Sequence, residues 1–213
     1  MSDLEAMVER LIANGFLKSE NVKEAMLAID RSIFFPRTAA HLTYEDIAYP
    51  VGFGQTISAP TVVALMLEQL FVDEGMKVLE VGTGTGYNTA LLSRLVGKKG
   101  KVISFEVVPE LTELARKNLL RCKLPDNVNL RTGDASCGYA GGGPYDRIVV
   151  TAAMPSLDET HPMTKQLRPD GRIVAPVGSR YGQDLIVYDK QSGSWKSVLP
   201  VIFVPLVGEK GFK

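Results

Sequence analysis

The segment Lys77-Val78-Leu79-Glu80-Val81-Gly82-Thr83-Gly84-Thr85-Gly86-Tyr87 constrains this chain more than any other. It reads as an apolar strand, a tight glycine-rich turn and the start of a helix, the opening unit of an α/β sheet. From Gly75 onward short β-rich runs alternate with helical stretches, which predicts parallel strands joined by crossover helices. Candidate strands cover 77–81, 101–106, 128–131, 147–151 and 172–176, and candidate helices cover 87–96, 109–120 and 157–167. Pro169-Asp170-Gly171 predicts a turn ahead of the fifth strand. Two further strands, 184–188 and 198–204, flank Ser192-Gly193-Ser194, a hairpin signal. The expected fold is a doubly wound, Rossmann-like sheet with an antiparallel C-terminal edge.

Ahead of the sheet, Leu4, Met7, Val8, Leu11 and Ile12 recur at helical spacing, with Gly15 placed to cap the end. Ser19 is placed to cap a second helix carrying Val22, Ala25, Met26 and Ile29. Residues 35–57 show no sustained period and read as a long connection, a length usually reserved for function. A helix entered through Ser58-Ala59-Pro60 follows. At 213 residues the chain fits one large domain. Residues 1–58 would supply N-terminal helices and an active-site loop, 59–178 the cofactor-binding core, and 179–213 the C-terminal strands.

Twenty-four basic side chains balance twenty-four acidic ones, so no global positive field exists to hold a nucleic acid or an anionic membrane. Two cysteines and two histidines, scattered along the chain, offer no metal-ligand spacing and fit a reducing compartment. The N-terminus lacks a basic stretch followed by an apolar one, and no window holds about 18 uninterrupted apolar residues. A soluble, cytoplasmic protein is expected.

The glycines permit a ligand to approach the backbone, but the spacing departs from the dinucleotide pattern G-x-G-x-x-G. Position 87 is Tyr, and an acid, Glu80, ends the strand. An anion there suits an ammonium and disfavours a pyrophosphate. S-adenosylmethionine carries an ammonium and a sulfonium and no phosphate. Glu106 ends the second strand, 20 residues beyond Gly86, where it can meet ribose hydroxyls, and Asp134 with the Ala135 amide follows the third strand, where they can read an adenine edge. A ligand-free turn with solvated strand-end acids is the bland alternative; the joint placement of Glu80, Glu106 and Asp134 favours the cofactor.

Beyond that loop the chain resembles the protein-L-isoaspartate (D-aspartate) O-methyltransferase family over nearly its whole length. The resemblance rests on Asp30-Arg31, Phe34-Phe35-Pro36, Tyr44-Glu45-Asp46 and Gly54-Gln55-Thr56-Ile57-Ser58-Ala59-Pro60 in the first third. It continues in Pro144 to Ala153, Gly171 to Gly178 and Phe203-Val204-Pro205-Leu206-Val207-Gly208. It implies methyl transfer from S-adenosylmethionine to the α-carboxyl of L-isoaspartyl residues in proteins and peptides, with Ser58 as the active-site residue. The expected cofactor set is Glu80, Gly82, Thr83, Gly84, Glu106, Asp134 and Ala135. Thr56, Ile57, Ser58 and Val177 are expected to hold the substrate, and no metal is required. At the start of its helix Ser58 can offer a hydroxyl, or serve as a plain N-cap. A methyltransferase for RNA or a small molecule is the alternative; Thr151-Ala152-Ala153-Met154-Pro155 lacks the Asn/Asp-Pro-Pro-aromatic stretch common in base methyltransferases.

Overall fold

The short apolar runs of the predicted strands, nearly continuous over 77–81 and 101–106, produce the expected sheet. The computed structural model describes residues 1–212. Strands β3 (Lys77–Val81), β4 (Lys101–Glu106), β5 (Val128–Thr132), β6 (Tyr145–Val150) and β7 (Leu167–Ser179) run parallel. β8 (Gly182–Asp189) and β9 (Ser194–Val201) add antiparallel to β7, giving the order β5-β4-β3-β6-β7-β8-β9. Successive residues of each strand feed opposite faces. Val78, Val102, Val149 and Val174 join one apolar cluster, and Leu79, Ile103, Ile148 and Ile173 join the other.

The first cluster also receives the helices before the sheet. α1 (Asp3–Ala13) buries Met7, Val8 and Leu11, α2 (Glu20–Ala28) buries Val22, Ala25 and Met26, and α3 (Pro60–Leu70) and α4 (Tyr87–Val96) complete the layer. A capping box between Ser2 and Glu5 opens α1. Gly15, in the left-handed region at φ 74°, closes it with Phe16 N–H donating to the Leu11 carbonyl. Ser19 precedes α2 without capping it, because its hydroxyl donates to Glu68 at 2.8 Å instead. α5 (Pro109–Leu119) packs on β4 and β5.

Four local expectations are corrected. The connection at 35–57 holds short 3-10 turns and a small hairpin of β1 (Tyr49–Gly52) and β2 (Gln55–Ile57), a pairing too brief and too rich in Pro and Gly to show a period. The helix expected over 157–167 shrinks to α6 (Pro162–Lys165). Asp158 Oδ1 accepts from the Thr160 amide and hydroxyl, locking a turn, and Pro162 offers no N–H to extend the helix backward. Pro169-Asp170-Gly171 is not a turn ahead of the fifth strand but a bulge inside β7, where Tyr145 pairs with Leu167 and Arg147 with Arg172. The last strand stops at Val201, and the chain crosses back so that Leu206 N–H donates to the Ala153 carbonyl.

The β7–β8 pair is pinned to α3 by Arg172. Its Nη2 lies 2.8 Å from Asp189 Oδ2, and its Nη1 donates to the Gln69 carbonyl at 3.1 Å. The guanidinium hydrogen bond, with donors from Ser192, holds the Asp189 carboxyl down at about 2. A depressed folded pKa stabilises above the unfolded value of about 3.9 and loses that contribution as pH falls toward the folded value. Asp189→Asn is therefore expected to melt at a lower temperature than wild type at pH 7. Melting curves from pH 7 to about pH 2 should show the gap closing below about pH 4; a constant gap would show that the charge is not its source.

Candidate active site

Strand order reverses at β3, with β4 on one side and β6 on the other, so the chain splays apart beyond their carboxyl ends. A cleft of about 930 Å³ opens there. Its floor is the glycine turn, with Gly82, Gly84 and Gly86 at φ 101°, 55° and 92°. The Gly82 carbonyl accepts from Thr151 Oγ1 at 2.5 Å, and a Cβ on residue 82 would overlap that oxygen. Phe105, Glu106, Gly133 and Ala135 form a second wall, Gln55 to Ser58 a third, and Val204 to Val207 a fourth. Among the described residues Glu106 is the one charged side chain on these walls.

Of the expected cofactor residues, Gly82, Thr83, Gly84, Glu106 and Ala135 line the cleft together. Glu106 Oε2 accepts from Gly84 N–H at 2.8 Å and Oε1 from Val108 N–H at 3.1 Å, so the carboxylate is fixed against the turn. Thr83 Oγ1 pairs with Ser104 Oγ at 2.6 Å and ties the turn to β4.

Glu80 and Asp134 are corrected: neither lines the cleft. Glu80 is completely buried beneath the turn, accepting from Asn88 Nδ2 at 2.8 Å, Ser104 Oγ at 2.6 Å and Thr89 Oγ1. No face of it is left for a ligand ammonium. Asp134 turns outward and accepts from the Ser136 and Glu209 amides at 2.7 and 2.8 Å, tying down the C-terminal segment.

Thr56, Ile57 and Ser58 meet the cleft as expected, but Val177 does not. It lies over a separate shallow groove with Tyr181 and Ile202, its backbone bridged to Met154. Ser58 is also not the N-cap. Ala59 occupies that position, Pro60 is the first helical residue, and no side chain caps the helix from within. The Thr61 amide is taken by Asp46 Oδ1 at 2.8 Å, so the Ser58 hydroxyl is free of any capping task.

Sequence reasoning missed Tyr87, Thr151 and the 204–207 wall, all on the cleft. Tyr87 was legible only as a departure from a glycine pattern. The 204–207 segment entered only through the family resemblance and with no role at the site, because its place is set by contacts with Ala153 rather than by its own periodicity. His161 is a buried N-cap of α6 whose Nδ1 accepts from the Met163 amide at 3.2 Å.

Burial pushes the Glu80 carboxyl up to about 7, against the pull of its three hydrogen bonds. A raised folded pKa gives stability that is full below the unfolded value of about 4.3 and is lost as pH rises through about 7. Glu80→Gln keeps the shape and cannot ionise. Denaturant titrations between pH 5 and pH 8 should show wild type losing stability relative to Glu80→Gln across that range. Parallel pH profiles for the two proteins would mean that Glu80 is ionised throughout.

The family model described as Protein-L-isoaspartate(D-aspartate) O-methyltransferase matches residues 2–211. A protein-L-isoaspartate O-methyltransferase of Hyperthermus butylicus is 47% identical over 217 residues, covering 97% of this chain and 89% of its own. One from Methanothrix thermoacetophila is 50% identical over 196 residues, covering 92% and 91%. A Plasmodium falciparum structure assigned to the same enzyme class, in complex with S-adenosyl-L-homocysteine, superposes with a TM-score of 0.86 at 26% identity. That match covers 97% of this chain and 99% of the other. A further solved protein-L-isoaspartate O-methyltransferase gives a TM-score of 0.81 at 33% identity, covering 97% of this chain and 67% of that one. With the cleft at the strand-order reversal and relatives of this identity over nearly all its length, the chain belongs to the protein-L-isoaspartate(D-aspartate) O-methyltransferase family.

Proposed function

We propose that this S-adenosylmethionine-dependent methyltransferase, which acts on the α-carboxyl of L-isoaspartyl residues in damaged proteins, holds its cofactor with Gly82, Thr83, Gly84, Glu106 and Ala135. In the same reading Thr56, Ile57 and Ser58 present the substrate carboxylate. The observation that carries this reading is the charge of the cleft: among the described residues its walls hold one carboxylate and no lysine, arginine or histidine. A phosphate-bearing ligand would find no cation there, whereas a ligand with an ammonium, a sulfonium and a diol finds Glu106 and a polar glycine turn. When bound, the cofactor supplies an electrophilic methyl group on a positively charged sulfur.

Glu80 and Asp134 serve this site from outside it. Glu80 holds Asn88, Thr89 and Ser104 under the turn, and Asp134 anchors the segment that carries Val204 to Val207 to the wall. At pH 7 a carboxyl of ordinary pKa near 3.9 is already almost fully ionised, so no residue has to remove a proton from it. The work left to the chain is orientation and exclusion of water. Ser58 donates its hydroxyl hydrogen bond to one carboxylate oxygen and leaves the other facing the methyl group. Ile57, Val63, Met66 and Leu206 supply apolar surface that keeps water from the reacting atoms.

A balanced net charge, and a cleft whose one charged side chain among the described residues is acidic, favour polypeptide over RNA as substrate. No described helix is long and apolar enough to cross a membrane, and both cysteines are free, which supports work in the reducing cytoplasm.

In an isoaspartyl linkage the free carboxylate hangs directly from Cα, one methylene closer to the main chain than in a normal aspartyl residue. A displacement of about 1 Å costs on the order of 100-fold in rate, so the site should discriminate by geometry alone. Two peptides differing only in that linkage, assayed with labelled methyl donor, are expected to differ by at least about 100-fold in kcat/KM. Values within about ten-fold, or turnover on tRNA in place of peptide, would overturn the reading.

A further inference from the structure

Arg31 is the largest side chain that the fold buries completely, and among the described residues it forms no ion pair. Its Nε donates to the Thr43 carbonyl at 2.9 Å and its Nη2 to the Ser58 carbonyl at 2.8 Å. The guanidinium carbon lies 5.4 and 5.2 Å from the ring centroids of Phe35 and Tyr87, and Nη1 has no partner. Burial pulls its pKa down to about 10, leaving it charged. An apolar side chain of similar volume would fill the same space without desolvating a charge. What the apolar side chain would not supply is a rigid pair of donors aimed at two carbonyls.

The same turn is held from its other end. Asp46 Oδ1 accepts from the Thr61 amide at 2.8 Å, and Oδ2 accepts from the Thr61 hydroxyl at 2.6 Å. Thr43 and Asp46 belong to one short strap, which is itself fixed. Arg10 Nη2 donates to the Tyr44 carbonyl and Tyr44 Oη to Asp30 Oδ1, both at 2.7 Å. Neither Arg31 nor Asp46 lines the cleft, while Thr56, Ile57 and Ser58 do.

We propose that Arg31 and Asp46 are positioning residues for methyl transfer. They grip the Ser58 carbonyl and the Thr61 amide at the two ends of the Ser58–Thr61 turn, and so set where the Ser58 hydroxyl meets the substrate carboxylate. The inference rests on the reading of Ser58 given above. It explains why the acidic and aromatic residues of the 43–46 strap lie beside a site they never touch.

A double-mutant cycle tests it, with Arg31→Lys, Asp46→Ala and Ser58→Ala made singly and in pairs in the full chain. Arg31→Lys keeps the charge but not the fixed fork, and should lower kcat by about ten-fold or more. Asp46→Ala, at an exposed position, should lower kcat in the same direction. S-adenosylhomocysteine affinity, read by calorimetry, should stay within about two-fold, since the residues assigned to the cofactor are elsewhere. In the Ser58→Ala background each change should cost less than about two-fold more, because the group being positioned is already gone. Losses that multiply with that of Ser58→Ala, or wild-type kcat in both single variants, would overturn the inference. If Arg31→Lys does not fold, Asp46→Ala and its pair with Ser58→Ala decide by the same criterion. A Ser58→Ala enzyme with wild-type turnover would overturn the reading of Ser58 itself, and that result is distinct from multiplying losses on a slowed Ser58→Ala enzyme.

Discussion

The close approach of Gly82 to Thr151 is the constraint on which the site depends. Thr151 N–H donates to the Val81 carbonyl at 2.9 Å, and the one Oγ1 proton is shared between the Gly82 carbonyl at 2.5 Å and the Val81 carbonyl at 3.2 Å. That contact is possible only because residue 82 has no side chain and adopts φ 101°. It brings the ends of β3 and β6 together, while Gly82 and Thr83 N–H donate to the Phe105 carbonyl of β4 on the other side, and the cleft lies over this junction. Gly84 N–H can then reach Glu106, and Gly86 can start α4 against Ala115. The shape of this wall of the cleft follows from one tight turn.

How far the site was legible in the sequence is seen best in its three acids. Their positions at strand ends were readable, but the height of each side chain relative to the cleft was not. Register decides it. Glu80 lies opposite Ser104, two residues below Glu106 on the same face, so Glu106 reaches the mouth and Glu80 is sealed beneath it. Asp134 lies beyond β5 in a turn that faces the C-terminal segment, a partner 75 residues away in sequence. Periodicity reports local faces and has no access to such pairings. The main strands were legible for the opposite reason, since buried parallel strands are continuous apolar runs whatever lies next to them.

The same distinction separates the residues on the cleft from those that shape it. Ser58 and its neighbours were found through a motif. The Arg31 guanidinium and the Asp46 carboxylate that hold their turn act across 27 and 15 residues of sequence and gave no local sign of doing so. Methyl transfer between a sulfonium and an ionised carboxylate asks for placement above all. A scaffold of directed hydrogen bonds around the cleft is what such a reaction requires, and Arg31 Nε and Nη2 with the hydroxyls of Thr89, Ser104 and Thr151 contribute to it.

The central claim, that the turn at Gly82 builds the cofactor site, is tested most directly by calorimetric binding of S-adenosylhomocysteine to Gly82→Ala. Circular dichroism would establish that the variant is folded. The added methyl must push Thr151 away and open the junction of β3 and β6. The expected result is a folded protein whose affinity is weaker by at least about ten-fold, or about 1.4 kcal/mol. A folded Gly82→Ala protein that binds as tightly as wild type would contradict the account.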